Sequence, residues 1–172
     1  MIYKKKNNHN NIVIKSATEQ HIENIVQWLQ DKNVKHFLSS NLRSRSINNA
    51  LIKVTLKRPD QSWNIIEYKN EIVGLIVLDN YDNEDKIANI WYLIGKKEFQ
   101  NKSIMSEALK IFVQKTPLNL DVVTAWVGSN NIPSIKCLEK AEFRRVGHIS
   151  NAFKVDGVHS RVIFEKIINR DG

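Results

Sequence analysis

The sequence predicts a single α+β domain in which helices pack on a mixed β-sheet. Its length of 172 residues is close to the usual size of one domain. Runs typical of strands and helices follow each other in the order strand, two helices, three strands, helix, strand, helix, two strands. We place the domain at residues 12–168, and we expect residues 1–11 to form a flexible basic segment.

The N-terminal part begins with a predicted strand, Ile12 to Ile14, that leads into a helix. Ser16 and Glu19 have the spacing of a capping box at the start of this helix. Its apolar positions are Ile22, Ile25, Val26 and Leu29. A second helix is predicted between Ser46, as its N-cap, and Pro59, as its end. Its apolar positions are Ile47, Ala50, Leu51 and Val54.

Three strands follow in the middle of the chain. Trp63 to Tyr68 and Glu71 to Leu78 are β-rich runs, and Lys69-Asn70 between them predicts a hairpin turn. Tyr81 to Asp85 is a second polar turn, and Lys86 to Ile94 is the third strand.

The C-terminal part alternates helices with strands. Pro117 ends one predicted helix, and Pro133 suits the first turn of another. The predicted elements are, in order, a helix at Ser106 to Gln114, a strand at Val122 to Val127, a helix at Pro133 to Lys140, and strands at Phe143 to Phe153 and Ser160 to Ile167 around Asp156-Gly157.

Composition restricts the function classes. With 42% apolar and 26% charged residues and no apolar run of about 20 residues, the chain is typical of soluble globular proteins, and we expect no membrane partner. Polar Asn7 to Asn11 follow Lys4 to Lys6 where a signal peptide would need an apolar segment, so we expect a cytoplasmic protein. The net charge of +8 fits an anionic ligand or a nucleic acid. Scattering of most basic residues among acidic ones argues against a nucleic acid.

The cysteine content and the tryptophans give mainly structural predictions. Cys137 is the single cysteine, so it forms no intramolecular disulfide, and it lacks partners for a metal site. We expect no metal and read Cys137 as a packing residue. Trp28, Trp63 and Trp126 fall on apolar periods and are predicted to lie in the core.

The segment from Ala88 to Leu109 carries the clearest chemical signal. A strand ends there, a polar loop follows, and a helix begins, so unpaired amides at the helix start would attract a phosphate. Gln100, Lys102 and Ser103 would add donors and positive charge.

This segment resembles the acetyl-CoA signature of the GNAT superfamily, which is Gln or Arg, two residues, Gly, any residue, then Gly or Ala. Gln100 to Met105 fill that frame, with serine and methionine at the two glycine-like positions. Asn131 to Ser134, together with Leu138 to Phe143, resemble a second family motif. Asp156-Gly157 with Arg161 to Phe164 are similar to the closing hairpin of the branch containing ribosomal-protein N-terminal acetyltransferases.

The resemblance implies a GNAT fold and a cosubstrate. It predicts a mostly antiparallel sheet that splays at a bulge in the strand Ile90 to Ile94, with acetyl-CoA bound there. The residues implied for acetyl-CoA binding are Tyr92, Leu93, Ile94, Gln100, Asn101, Lys102, Ser103, Ile104, Met105, Asn131 and Ser134. A homodimer stays open.

The resemblance also implies catalytic roles, with two departures from the family. The Leu93 amide would face the thioester oxygen, and Ser134 would stabilise the thiolate because Leu138 replaces the tyrosine that many members use. Asn89 stands where another branch has a glutamate base and cannot usefully accept a proton. We therefore expect a water relay or a base from elsewhere, with three candidates. These are His36, Glu67 and Asp79.

The acceptor is predicted to be a primary amine. His36, Trp91 and Arg161 are expected near it, and Arg161 would suit an acidic or phosphorylated substrate, although an exposed strand arginine is the simpler reading. We favour a small molecule such as an amino sugar, polyamine or amino acid derivative. The alternatives are a protein N-terminus or lysine, a degenerate CoA-binding module, and a basic nucleic-acid binder.

Overall fold

The computed structural model describes residues 2–4, 11–38, 40–116, 118–154 and 157–168. The strands are β1 (Ile2–Lys4), β2 (Ile12–Ser16), β3 (Ser62–Tyr68), β4 (Glu71–Asp82), β5 (Ile87–Ile94), β6 (Val122–Gly128), β7 (Arg144–Phe153) and β8 (His159–Ile167). The helices are α1 (Ile22–Gln30), α2 (Lys32–Phe37), α3 (Ser40–Ser44), α4 (Asn49–Thr55), α5 (Ile104–Lys115) and α6 (Ile132–Lys140), with 3₁₀ turns at Glu19–His21 and Lys97–Phe99.

The strands form one mixed sheet in the order β1-β2-β3-β4-β5-β6-β8-β7. Neighbouring strands are antiparallel except β5 and β6, which are parallel and pair over three residues only, from Ile87–Val122 to Asn89–Thr124. Beyond Asn89 the two strands separate and leave a gap in the middle of the sheet. The predicted α+β architecture and the splayed strand are confirmed.

The sheet has two covered faces. On the front face, α1 and α4 pack through Ile25, Leu29 and Ile52 against alternate residues of β3, β4 and β5. On the back face, Ala108, Leu109 and Phe112 of α5 and Leu138 of α6 pack against the other set of alternate residues. Because successive side chains of a strand point to opposite faces, each residue of β5 and β6 is assigned to one face by its position.

The hairpin between β3 and β4 is confirmed. Lys69 and Asn70 both have positive φ values, 52° and 66°, as a two-residue type I′ turn requires. Asparagine tolerates this conformation better than most residues. The turn fixes the register of β3 and β4, and β4 then runs on to Asp82, four residues beyond its predicted end.

Both predicted helix starts in the N-terminal part were misplaced. Thr18 rather than Ser16 precedes the first turn, and its backbone N–H donates to His21 Nδ1 at 2.9 Å. Asn48 rather than Ser46 caps α4, since its Oδ1 accepts from the Leu51 N–H at 2.9 Å. Val54, which was predicted to face the core, is 66% exposed, and Ile52 is buried instead.

Three short elements were not predicted. A strand stands at Ile2–Lys4, where sequence analysis expected a flexible segment, while residues 5–10 lie outside the described residues. The helices α2 and α3 cover six and five residues between α1 and α4. No helix among the described residues has the length and apolar character needed to cross a membrane.

Candidate active site

The gap between β5 and β6 opens into a cleft of about 1370 Å³. The cleft passes through the sheet, because it is lined by front-face residues such as Trp91 and by back-face residues such as Tyr92. Pockets for one small ligand usually measure about 300–1,000 Å³, so this cleft is larger than such a pocket.

The backbone of β5 presents free amides to this gap. Gly95 N donates to Val73 O of β4 at 2.9 Å, whereas Lys86 O accepts from Asp121 N, next to β6, at 2.8 Å. Odd-numbered residues of β5 therefore direct their backbone groups to β4 and even-numbered residues direct theirs to β6. Past Asn89, where β6 has separated, the even-numbered amides face the cleft.

This orientation contradicts the prediction for the Leu93 amide. The register between β4 and β5 is continuous from Asn89 to Ile94, so the predicted bulge is absent there and the irregularity lies nearer the start of β5. Leu93 is paired with Leu75 and directs its amide to β4. The donors that face the gap are the amides of Tyr92 and Ile94.

One end of the cleft is formed by the loop at the start of α5. Asn101 and Ser103 have positive φ values, 59° and 58°, although neither is a glycine. Ser103 precedes the first helical residue, so the free amides of the first turn of α5 open toward the cleft. Lys102 lines the cleft, and Lys140 Nζ reaches from α6 to within 3.3 Å of Ser103 Oγ. Amides, a helix dipole and two lysines thus converge on one spot.

Ser134 lies on the back-face side of the gap, beside a half-buried phenol. Tyr92 Oη is 2.8 Å from Ser134 Oγ and donates to Ser134 O at 3.1 Å. Burial raises the pKa of the Tyr92 phenol well above its ordinary value, so the group keeps its proton at neutral pH. Burial likewise raises the pKa of the neighbouring Cys137 thiol to about 11. Asn131 caps α6, since its Oδ1 accepts from the Ser134 N–H at 3.3 Å.

Asp79 occupies the front-face side, directly opposite Asn89. Its Oδ1 accepts from Asn89 Nδ2 at 3.0 Å, and its Oδ2 accepts from Trp91 Nε1 at 3.0 Å. The Trp91 ring also packs edge-to-face on Trp63, with centroids 5.3 Å apart. Burial raises the pKa of the Asp79 carboxyl above its ordinary value, and the two hydrogen bonds lower it in part.

The front-face side also contains cationic and aromatic groups on the far bank of the gap. Arg161 lies on β8 opposite Gly128, and its guanidinium sits 5.8 Å from the centre of the Phe153 ring. Trp126 is 47% exposed and lines the same cleft, so its predicted place in the core is wrong. Trp28 and Trp63, by contrast, are buried as predicted.

The structure brings almost all predicted site residues to this one cleft. It is lined by Asn89, Trp91, Tyr92, Leu93, Ile94, Gln100, Asn101, Lys102, Ser103, Ile104, Met105, Asn131, Ser134 and Arg161. His36 is the exception, because it lines a separate shallow depression with Lys32 and Arg43. Of the other two candidate bases, Asp79 lines the cleft, whereas Glu67 lies outside it and pairs with Lys15.

Comparison with known protein families identifies the family to which this chain belongs. The family model described as the acetyltransferase (GNAT) domain matches residues 11–144, which is most of the chain. The chain belongs to the GNAT acetyltransferase family. The matched range contains β2 to α6 and therefore both banks of the gap and the loop before α5.

Individual relatives are distant. A protein of Bacillus licheniformis named uncharacterized N-acetyltransferase p20 is 28% identical over 109 residues, which cover 62% of this chain and 61% of that protein. The chain thus spans less than two thirds of the length of this curated relative. RimL, a ribosomal alpha-N-protein acetyltransferase solved with coenzyme A, superposes with a TM-score of 0.80 at 17% identity over 99% of this chain and 100% of that one.

A second similar structure is that of an enzyme that acetylates a small molecule and not a protein. The spermidine N-acetyltransferase of Vibrio cholerae, solved with CoA and spermine, superposes with a TM-score of 0.79 at 15% identity, over 91% of this chain and 95% of that one. At such identities the two structures establish the GNAT fold and leave the acceptor open.

Sequence reasoning missed several groups of the cleft. Lys136 and Lys140 line it and are four residues apart, so helical spacing could have placed them on one side of α6. Trp126 alternates with buried Ala125 and Val127, so the period of two could have put it on the other face. The Tyr92 side chain was expected to contribute only as part of the cosubstrate-binding strand.

Proposed function

We propose that this GNAT protein transfers an acetyl group from acetyl-CoA to a small primary amine that also carries an anionic group, such as a sugar phosphate amine or an amino acid derivative. The observation that carries the proposal is that a negative and a positive side chain lie on opposite sides of the same gap. Asp79 lies on β4 beside β5, and Arg161 lies on β8 beside β6, with both side chains on the cleft.

The back-face end of the cleft fits acetyl-CoA. The pyrophosphate would lie at the start of α5, where the amides after Ser103 and the ammonium groups of Lys102 and Lys140 converge. The pantetheine arm would pass between β5 and β6, where the amides of Tyr92 and Ile94 find no partner in β6. The thioester would then lie near Ser134.

The groups at the gap match the needs of acyl transfer. The amine nitrogen attacks the thioester carbonyl carbon, the carbon–sulfur bond breaks, the nitrogen loses a proton, and the sulfur gains one. A backbone amide of β5 would donate to the carbonyl oxygen as negative charge develops on it. Ser134 would donate to the departing thiolate, and the neighbouring Tyr92 phenol would be a protonated donor behind it.

Charge near the front-face opening disfavours a polyamine. Among the described residues that line the cleft, the acidic ones are Asp60 and Asp79. Asp60 is engaged by Arg58 through hydrogen bonds of 3.0 and 2.6 Å. One carboxylate therefore remains for a cation, while Arg161 and Arg45 line the same cleft and would repel a second ammonium group.

Binding of acetyl-CoA is tested first, by thermal denaturation. At a ligand concentration 100 times the dissociation constant, the folded state gains about 2.7 kcal/mol. For a protein of this length that corresponds to a rise of very roughly 5–11 °C in the melting temperature. No rise at that concentration would contradict the cosubstrate assignment.

The acceptor class is tested with matched amines. Glucosamine 6-phosphate and glucosamine differ only in the anionic group, and spermidine and short peptides complete the panel. We expect kcat/KM to be about tenfold or more higher for glucosamine 6-phosphate than for glucosamine. This factor corresponds to the free energy of one hydrogen bond to a charged group. Arg161→Gln should abolish this preference, whereas Arg145→Gln, an exposed arginine of β7 outside the cleft, should retain it. Equal rates on both sugars would contradict the class.

A ribosomal protein N-terminus is the second candidate acceptor. RimL, a ribosomal alpha-N-protein acetyltransferase with the same fold, is the reason to include short peptides in the panel. Peptides turned over faster than every small amine of the panel would favour this alternative, and acetyl-CoA binding without turnover of any amine would favour a degenerate binding module.

A further inference from the structure

Asp79 and Asn89 form a side-chain pair at the point where the sheet opens. They face each other across β4 and β5, and Asn89 belongs to the last residue pair that joins β5 to β6. Building on the proposed N-acetyl transfer, we infer that the Asp79 carboxylate takes the proton from the acceptor amine while the Asn89 carbonyl oxygen holds that amine.

The orientation of the Asn89 amide is fixed by Asp79. Asn89 Nδ2 donates to Asp79 Oδ1 at 3.0 Å, which turns the Asn89 carbonyl oxygen away from the carboxylate. This Oδ1 is buried and accepts no hydrogen bond from any described residue. Buried polar atoms of native proteins are normally paired, so an orphaned acceptor on a cleft points to a ligand with an N–H or O–H group. An amine supplies that donor.

The Asp79 carboxylate keeps capacity for a proton. Its oxygens accept from Asn80 Nδ2 at 3.3 Å, from Asn89 Nδ2 and from Trp91 Nε1, and all of these donors are uncharged. Two carboxylate oxygens offer about four acceptor sites. A carboxylate bound by neutral donors can accept a proton without leaving a cation unpaired.

Titratable neighbours of Asp79 favour this role. Burial raises the pKa of its carboxyl, and the negative charge of Asp60 raises it further, whereas the bonds from Asn89 and Trp91 lower it. Asp60 is in turn paired with Arg58. A carboxyl with a raised pKa is a better base near neutral pH than an ordinary one.

The proton balance of the step is complete. An ammonium acceptor gives one proton to Asp79 and becomes a neutral amine whose lone pair attacks the thioester carbonyl carbon. As the carbon–sulfur bond breaks, the nitrogen loses a second proton to water, the sulfur receives one from the Ser134 hydroxyl, and Ser134 regains one from water. Asp79 then returns its proton to solvent. The products are the N-acetylated amine, CoA thiol and one released proton.

The test compares Asp79→Asn with Glu67→Gln, a carboxylate of β3 outside the cleft. The acceptor is whichever amine of the panel is acetylated fastest, so the result does not depend on the anionic group. We expect Asp79→Asn to lower kcat/KM by about 100-fold, the lower range for general base catalysis, and to lose the acid limb of the pH profile. Glu67→Gln should stay within about twofold of wild type, because Glu67 lies outside the cleft.

An acceptor amine with a lower pKa distinguishes a general-base role of Asp79 from a purely structural one. An analogue whose amine is already neutral at the assay pH needs no deprotonation before attack, so the loss in Asp79→Asn should shrink with it. Asn89→Ala should raise KM for the acceptor more than it lowers kcat. An unchanged acid limb in Asp79→Asn, or an equal loss with both amines, would overturn the inference. A preference for an amine without an anionic group would overturn only the proposed acceptor class.

Discussion

Tyr92 Oη and Ser134 Oγ lie 2.8 Å apart on the back-face side of the gap, although they are 42 positions apart in the chain. The contact joins β5 to the first turns of α6 on the back face. It places a protonated phenol behind the hydroxyl that faces the proposed thioester. Leu138, the position where many GNAT proteins carry a tyrosine, is fully buried in the core. In this chain, the phenol beside the proposed thioester site belongs to Tyr92 on strand β5, and helix α6 has no tyrosine at position 138.

We expect Tyr92→Phe to lower kcat by about tenfold, because the serine loses one hydrogen-bond partner. Ser134→Ala should cost about 100-fold, as the loss of a proton donor commonly does. The double variant should be no worse than Ser134→Ala, since both residues act through one hydroxyl. Steady-state rates check this. Tyr81→Phe, whose hydroxyl bonds Asn83 outside the cleft, is the control, and additive losses would contradict the coupling.

Lys140→Gln should weaken acetyl-CoA binding by about tenfold, because an ammonium group near the proposed pyrophosphate is lost. Titration calorimetry at low and high salt measures it, and the difference from wild type should shrink at high salt. Lys86→Gln removes an equal charge at the start of β5 and should bind like wild type. A Lys140→Gln affinity equal to that of wild type would place the pyrophosphate elsewhere.

Gly95→Ala should destabilise the protein, because Trp28 packs directly on this glycine. A Cβ at Gly95 would lie 2.2 Å from Trp28 Cδ2, and the indole is buried. Overpacking of this kind costs about 1–3 kcal/mol. Urea denaturation provides the measurement. Gly147→Ala is the matched control, since its nearest atom, Ile163 Cδ1, is 4.0 Å away, and an equal effect of both changes would refute the packing argument.

His21 should make stability depend on pH. Burial lowers the pKa of its imidazole below the ordinary 6.5, and the charge of Lys15 acts in the same direction. The unfolded chain therefore binds a proton that the folded protein does not, and stability is lost as pH falls below about 6.5. The free energy of unfolding at pH 7.5 and 5.5 should differ less in His21→Gln than in wild type. Exposed His148→Gln should respond like wild type.

Local signals were enough for most of the fold. The Lys69-Asn70 turn and the strands around it follow from turn chemistry and β-rich runs, which depend on residues close in sequence. The helices α2 and α3 escaped prediction because six and five residues are too short to show an apolar period. The caps Thr18 and Asn48 were missed because other residues nearby have equally suitable side chains.

Most of the candidate site was predicted where motifs mark it, and Asp79 and Trp91 were predicted without a motif. Gln100 to Met105 and Ser134 were found through their resemblance to family motifs, and all line the cleft. The Asp79–Asn89 bond depends on strand register, and the direction of the Leu93 amide depends on the absence of a bulge. Neither can be read from one strand alone, because each is set by the pairing of β4 with β5.

The gap between β5 and β6 also makes the sheet mechanically weak at its centre. Among the described residues, only three β-strand residue pairs, ending at Asn89–Thr124, join strands β1–β5 to strands β6–β8. A ligand lying between the two strands would act as a wedge that bonds both parts. Hydrogen exchange should then slow mainly at the amides of Tyr92 and Ile94 and along β6 when acetyl-CoA is added, while the β3–β4 hairpin exchanges as before. The bound cosubstrate would then supply hydrogen bonds between β5 and β6 that the sheet itself lacks.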